Sequence, residues 1–202
     1  GTDSVAIGRR ALRVQNFSTA TSSKNTAVGA SAGQSVTTGV NNTFIGALAG
    51  DALTDADHNI AIGFNALTSD TLGSRSVAIG QGALETQNFT TATDVYNVGV
   101  GFHAGTSVTT GEGNTLVGGL AGDALTDADF NVAVGKNALS SDTLGSFNTA
   151  LGINCLEQQN FTTATNSYNT AVGALAGGAV TTGIQNVLVG AGTGDALTDG
   201  DN

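Results

Sequence analysis

A five-residue spine closing on glycine recurs eleven times along the chain, and this repeat constrains the fold more than any other feature. The first copies are Ser4-Val-Ala-Ile-Gly8, Asn25-Thr-Ala-Val-Gly29, Asn42-Thr-Phe-Ile-Gly46 and Asn59-Ile-Ala-Ile-Gly63. They continue as Ser76-Val-Ala-Ile-Gly80, Asn97-Val-Gly-Val-Gly101, Asn114-Thr-Leu-Val-Gly118 and Asn131-Val-Ala-Val-Gly135. The last are Asn148-Thr-Ala-Leu-Gly152, Asn169-Thr-Ala-Val-Gly173 and Asn186-Val-Leu-Val-Gly190. The spine glycines step by 21, 17, 17 and 17 residues, and the cycle then begins again. Gly8, Gly80 and Gly152 are therefore equivalent in a 72-residue superrepeat, as are Gly29, Gly101 and Gly173. Superrepeats span about 4–75, 76–147 and, incompletely, 148–202, within one repeat domain covering residues 1–202.

Each spine reads as a short strand, because Ile, Val and Thr dominate it and glycine and polar clusters bound it. Three residues beyond each spine glycine stands Ala11, Ala32, Ala49, Ala66, Ala83, Ala104, Ala121, Ala138 or Ala176, with Cys155 and Thr193 the two exceptions. The residue after it is always Leu or Gly. This pattern predicts a second short strand whose inward position accepts a small side chain. Cys155 then serves as a small buried apolar group in an alanine slot. A coil of 17 residues with such strands and turns is a solenoid turn. Stacked about 4.8 Å apart, eleven coils make a rod roughly 50 Å long. The Asn or Ser opening each spine would form a polar ladder that hydrogen-bonds from coil to coil. The predicted class is all-β, a parallel β-solenoid.

Side chains alternate across a strand. The residue before each spine glycine is Ile, Val or Leu, and the one two positions earlier is Val, Ile or Thr. The residue between them is Ala or Gly, or else Phe44, Leu116 or Leu188. Both faces are thus apolar and no spine position is charged, which marks a strand buried on both sides. One face packs into the coil. The other would form a continuous aliphatic stripe, a surface that calls for a cover. Lateral self-association through that face is the expectation, and the sequence by itself leaves the number of chains open.

These spines, followed by Ala-Leu or Ala-Gly, resemble the head repeats of YadA-like trimeric autotransporter adhesins. They resemble still more the longer repeats of phage tail fibres and large bacterial surface proteins, and the likeness covers essentially the whole chain. It implies a left-handed β-roll with three chains side by side around one axis. By that resemblance the trimer core would be Ile7, Val28, Ile45, Ile62, Ile79, Val100, Val117, Val134, Leu151, Val172 and Val189. The adhesin repeat is shorter than 17 residues, and the 21-residue coils add a loop. The resemblance leaves open whether the parent is an adhesin or a phage fibre.

Composition agrees with a tightly turning backbone. There are 30 glycines in 202 residues, about twice the usual share of roughly 7%, and no proline. The net charge of −10 repels phosphate backbones and argues against nucleic acid as a partner. Arg9, Arg10, Arg13 and Lys24 gather near the start, as a solvated end face or as a junction with an upstream segment. No apolar run approaches the 18 or so residues that span a bilayer, so direct membrane insertion is not expected. No signal peptide, initiator Met or capping repeat is visible, and the chain reads as a fragment of a longer fibre.

The longest connections lie in the 21-residue coils, at Gln15–Thr21, Gln87–Thr93 and Gln159–Thr165. Asn16, Phe17, Asn88, Phe89, Asn160 and Phe161 are the candidate ligand-loop residues there, since loops on a rigid scaffold carry function. The competing and favoured role for each Phe is to fold inward and plug the wider coil. The three Asn also open glycosylation sequons, a short and common pattern. Asp51, Asp55 and Asp57 recur as Asp123, Asp127 and Asp129 and as Asp195, Asp199 and Asp201. Clustered carboxylates suit Ca²⁺, although the spacing matches no calcium loop and Asp also makes turns. His58 and His103 are isolated, and no catalytic or cofactor-binding set can be assembled.

The expected role is a structural and adhesive, non-enzymatic homotrimeric segment of an extracellular fibre, on a bacterial cell surface or in a virion tail. Its loops would meet a host receptor or surface glycan. A monomeric solenoid that binds polysaccharide or ice is the alternative, with a polysaccharide-degrading β-helix enzyme behind it. An ice face wants an unbroken Thr array, whereas the spine position three before glycine mixes Thr with Val and Ile.

Overall fold

The computed structural model describes residues 1–201, so the last residue of the third superrepeat, Asn202, lies outside it. The described residues form an all-β parallel solenoid of eleven coils with no helix. One three-residue strand per coil builds the main sheet: β1 (Val5–Ile7), β2 (Thr26–Val28), β3 (Thr43–Ile45), β4 (Ile60–Ile62), β6 (Val77–Ile79) and β8 (Val98–Val100). The same sheet continues through β9 (Thr115–Val117), β10 (Val132–Val134), β12 (Thr149–Leu151), β14 (Thr170–Val172) and β15 (Val187–Val189). Every neighbour pair is parallel and the spine register is kept, as in Ile79↔Val100 and Val100↔Val117. Two side ladders accompany the wide coils: β5 (Gly73–Ser74) with β7 (Thr93–Asp94), and β11 (Gly145–Ser146) with β13 (Thr165–Asn166).

The spine glycines explain how the coils stack so closely. Each has a positive φ, between 128° and 144°. A Cβ on Gly80 would run into the carbonyl oxygen of Gly101, and the same holds from Gly8 up to Gly152, each meeting the next spine glycine. The position therefore demands glycine both for its dihedral and for its clearance.

The polar ladder forms as expected, and it is buried. Asn114 N–H donates to Asn97 Oδ1 at 2.8 Å, and Asn131 N–H donates to Asn114 Oδ1 at 3.0 Å. Most of these Asn side chains also tie their own coil shut, whereas Asn148 Nδ2 donates to Asn131 Oδ1 of the neighbouring coil at 3.1 Å. Asn114 Nδ2 donates to Ala128 O at 2.8 Å, across the interior. Asn42, Asn59 and Asn186 repeat the arrangement. Both ends of the amide are thereby satisfied, which a buried polar side chain requires.

The second strand predicted around the alanine column is corrected: that segment is a turn. Cys155 and the alanines beyond the first coil are buried as expected, Ala11 is half-buried, and the residues beside them are left-handed. In the coil of Gly135, Asn137 and Leu139 have φ of 55° and 54°. Two positive-φ residues so close together break the extended chain. Inter-coil hydrogen bonding survives the change of geometry, since Leu139 N–H donates to Cys155 O at 2.9 Å and Asn154 N–H to Lys136 O at 2.9 Å.

Interior volume is balanced between coils. Where the central spine residue is Ala, as at Ala61 and Ala78, a buried Leu67 or Leu84 follows the alanine column. Where it is Phe44 or Leu116, glycine takes that place at Gly50 or Gly122. The preceding coil is small at both positions (Ala27 with Gly33, Gly99 with Gly105), and the large residue spreads into it. A Cβ on Gly33 would lie 2.6 Å from the Phe44 ring, and one on Gly105 2.6 Å from Leu116. Such interdigitation keeps a thin interior at native density.

Candidate functional site

The outward side of the main sheet is the surface most in need of a function. In every main-sheet strand after the first the central residue points in and is buried, while its two neighbours point out; in the terminal strand β1 Ala6 is exposed. All eleven residues expected to form a trimer core lie in the outward column before the spine glycine. Ile7, Ile45, Val134 and Val189 are exposed, and the other seven are half-buried by the coils above and below. The parallel column two residues earlier carries Val5, Ile60 and Val187, also exposed, alternating with Val and half-buried Thr. No charge interrupts either column. The stripe is roughly 50 Å long and about 10 Å across, on the order of 500 Å², at the upper end of what a typical monomer exposes.

Two further exposed columns run along its margins. One is the left-handed residue immediately before each spine Asn or Ser, such as Asn41 at φ 58° and Phe147 at 63°. In this column Phe130, Phe147 and Tyr168 stack as a continuous ladder, with ring centroids 5.2 Å apart at both steps. One superrepeat earlier the same places hold His58, Arg75 and Tyr96. There Arg75 bonds Asp94 at 2.9 Å, which raises its guanidinium pKa further, and lies 5.9 Å from the Tyr96 ring. The other margin follows each spine glycine and exposes Phe64, Phe102 and Ile153. The sequence reading missed the aromatic ladder. Its signal was present as aromatics at one fixed offset from the spine in three successive coils.

The candidate ligand loops divide. Asn16, Asn88 and Asn160 are exposed, with Thr71 Oγ1 and Thr143 Oγ1 each 3.3 Å from the Asn88 and Asn160 side-chain oxygens. Phe89 and Phe161 are only 6% and 7% exposed, so their rings offer no open face to a sugar, and Phe17 is half-buried. What holds the wide coil is a buried carboxylate that sequence reasoning did not find. Asp70 accepts hydrogen bonds from Gly73 N–H at 3.1 Å, Phe89 N–H at 2.9 Å and Gln87 Nε2 at 2.6 Å. Gln87 passes the contact on to the Asn column, accepting from Asn97 Nδ2 at 3.0 Å. Asp142, Gln159 and Phe161 repeat the set. Desolvation raises the Asp70 pKa above the ordinary carboxylate value, against the lowering effect of its donors.

The Asp ladder binds turns together. Asp57 accepts from Val40 N–H at 2.7 Å, Asp129 from Glu112 N–H at 2.8 Å and Asp201 from Ile184 N–H at 2.9 Å. Asp51 accepts from Thr68 at 2.5 Å, Asp127 from Thr110 at 2.6 Å, and Asp55 from Thr38. Burial raises the pKa of Asp51 and of its copy Asp123. The carboxylates do not converge: among the described residues no group of three or more His, Cys, Asp or Glu side chains is placed to hold a metal. Asp195 and Asp199 likewise belong to no such group. Cys155 is buried, its thiol pushed up to about 11 by desolvation and its Sγ 3.2 Å from Ala171 O, as suits an inert filler. His58 sits 3.3 Å from Asn41, and His103 contacts Thr106 at 3.2 Å.

No protein family, curated protein or solved structure matches the chain. The class that the fold defines is the parallel β-solenoid.

Proposed function

We propose that this chain is a rigid segment of an elongated extracellular fibre, assembled as a homotrimer whose chains pack side by side through their outward sheet faces. The single observation that carries the reading is the uncharged aliphatic stripe running the length of the rod. Covering such a stripe yields about 25 cal/mol per Å² and would drive lateral association. The role is geometric rather than catalytic: the solenoid supplies reach and stiffness, and many weak contacts on a host receptor or surface glycan add up to avidity. The resemblance to trimeric adhesin heads and tail-fibre repeats supports three chains and a location on a bacterial surface or virion. Exposed Asn16, Asn88 and Asn160 on the wide coils are the loop residues best placed for attachment.

Light scattering on a sizing column tests the assembly. A species near three times 19.8 kDa is expected. A clean monomer at 19.8 kDa would sink the trimer and leave the monomeric binding module in its place.

A further inference from the structure

We infer that the copies associate in parallel and in register, so that the margin column preceding the spines of one copy meets the margin column following the spines of the next. This rests on the proposed burial of the stripe by further copies of the chain. The two columns lie six residues apart at opposite edges of the same face, roughly 15–20 Å along near-extended chain, and cannot touch within one chain. In a rotationally symmetric assembly they meet at the same coil level.

Their chemistry is complementary at four of the eleven levels. At the first coil Asp3 would face Arg9, opposite charges that are both exposed. At the sixth, Tyr96 would face Phe102, both more than half exposed. The seventh is bare on both sides, at Gly113 and Gly119. At the eighth, Phe130 would face Lys136, a cation over an aromatic ring. At the ninth, Phe147 would face Ile153. No level sets like charges against each other.

Slips of one or four coils lose the Asp3–Arg9 pair in either direction. In one direction a slip of one coil also places Lys24 against Arg9 and Phe102 against Gly113; in the other it sets Asp3 against Ala30. A slip of four coils would leave the aliphatic stripe nearly unchanged, because the superrepeat restores it. In one direction that slip places Arg75 against Arg9, and in the other it sets Asp3 against Gln81. Where the stripe alone would accept several registers, the aligned one is favoured by the Asp3–Arg9 pair, with repulsion added against slips in one direction.

Cysteine cross-linking tests the seam. In a Cys155→Ala background, Lys24→Cys is combined with Ala30→Cys, an exposed pair at the second coil level. The comparison variant combines Lys24→Cys with Ala174→Cys, eight coils away and about 40 Å apart along the rod. A disulfide needs Cα atoms within about 7 Å, so neither pair closes inside one chain. Mild oxidation is expected to convert the first variant into covalent trimer on a non-reducing gel and to leave the second as single chains. An assembled species by light scattering that fails to cross-link in the first variant, or cross-links equally in both, overturns the seam and leaves the covered stripe standing. A monomer overturns both. Charge reversal checks the seam without new cysteines. Arg9→Asp should weaken assembly about tenfold, and adding Asp3→Arg should restore it; absence of rescue counts against the register.

Discussion

One interior column of the solenoid repeats faithfully while its margin does not. Along the interior, seven residues beyond each spine glycine, Val36, Leu53, Asp70 and Gln87 return as Val108, Leu125, Asp142 and Gln159. All eight are buried. Along the margin, His58 and Arg75 become Phe130 and Phe147, and only Tyr96 returns as Tyr168. The two columns share the same backbone period, so backbone geometry does not explain the difference. Interior side chains are fixed by volume and hydrogen bonds within the chain. Margin side chains meet nothing above the sheet in a single chain and are free to differ wherever a second surface asks them to.

That contrast can be broken at its strongest point by Gly80→Ala. The new methyl would strike the Gly101 carbonyl at a φ of 132°, so the substitution is expected to cost about 3 kcal/mol or more and to split the rod into two weakly coupled halves. Urea unfolding would show it as a large fall in midpoint, and an unchanged midpoint would mean the coils are not packed this closely.

A smaller effect belongs to the buried carboxylate. Because the folded-state pKa of Asp70 is raised, the folded chain holds that proton to higher pH than the unfolded chain does. Stability should therefore be greatest with Asp70 protonated and should fall as pH climbs from the ordinary carboxylate range through the raised value. Chemical unfolding across that window should show the decline, and Asp70→Asn should reduce its slope. A stability that rises with pH in the wild type, and less steeply in Asp70→Asn, would show that the three donors outweigh burial.

The smallest effect is expected at the margin. Phe147→Ser removes the middle ring of the exposed stack and should change the unfolding free energy of a single chain by no more than about 0.5–1 kcal/mol. A change the size of a core truncation would mean that the aromatic ladder is part of the fold and not of a surface.

The repeat, the strand in each coil, the buried Asn column and the two-faced spine were all legible in the sequence, because each follows from one residue type at one offset. The turn around the alanines was not. Its left-handed residues include Leu12, Leu67, Leu139 and Asn137, and leucine does not announce a positive φ. The alternation of Leu with Gly in that column was the available sign, and it was read as side-chain size alone. The Asp70–Gln87–Phe89 cluster was hidden for another reason: its members belong to neighbouring coils and meet only after stacking. The rings of Phe89 and Phe161 show the limit for the site, since a loop displaying an aromatic and a loop swallowing one have the same sequence.

The left-handed residues carry a consequence for how such a rod comes into being. Among the described residues twenty-four of them are not glycine, and each sits in a conformation costing roughly 1–2 kcal/mol when nothing holds it. What holds them is the neighbouring coil: Leu84 N–H reaches Ala104 O at 3.0 Å, and His103 N–H reaches Gln81 O at 2.9 Å. A lone coil has no such support and little reason to take its shape. Order must then start where two or three coils happen upon each other and spread outward, each finished coil acting as the mould for the next, as a crystal face does for arriving molecules.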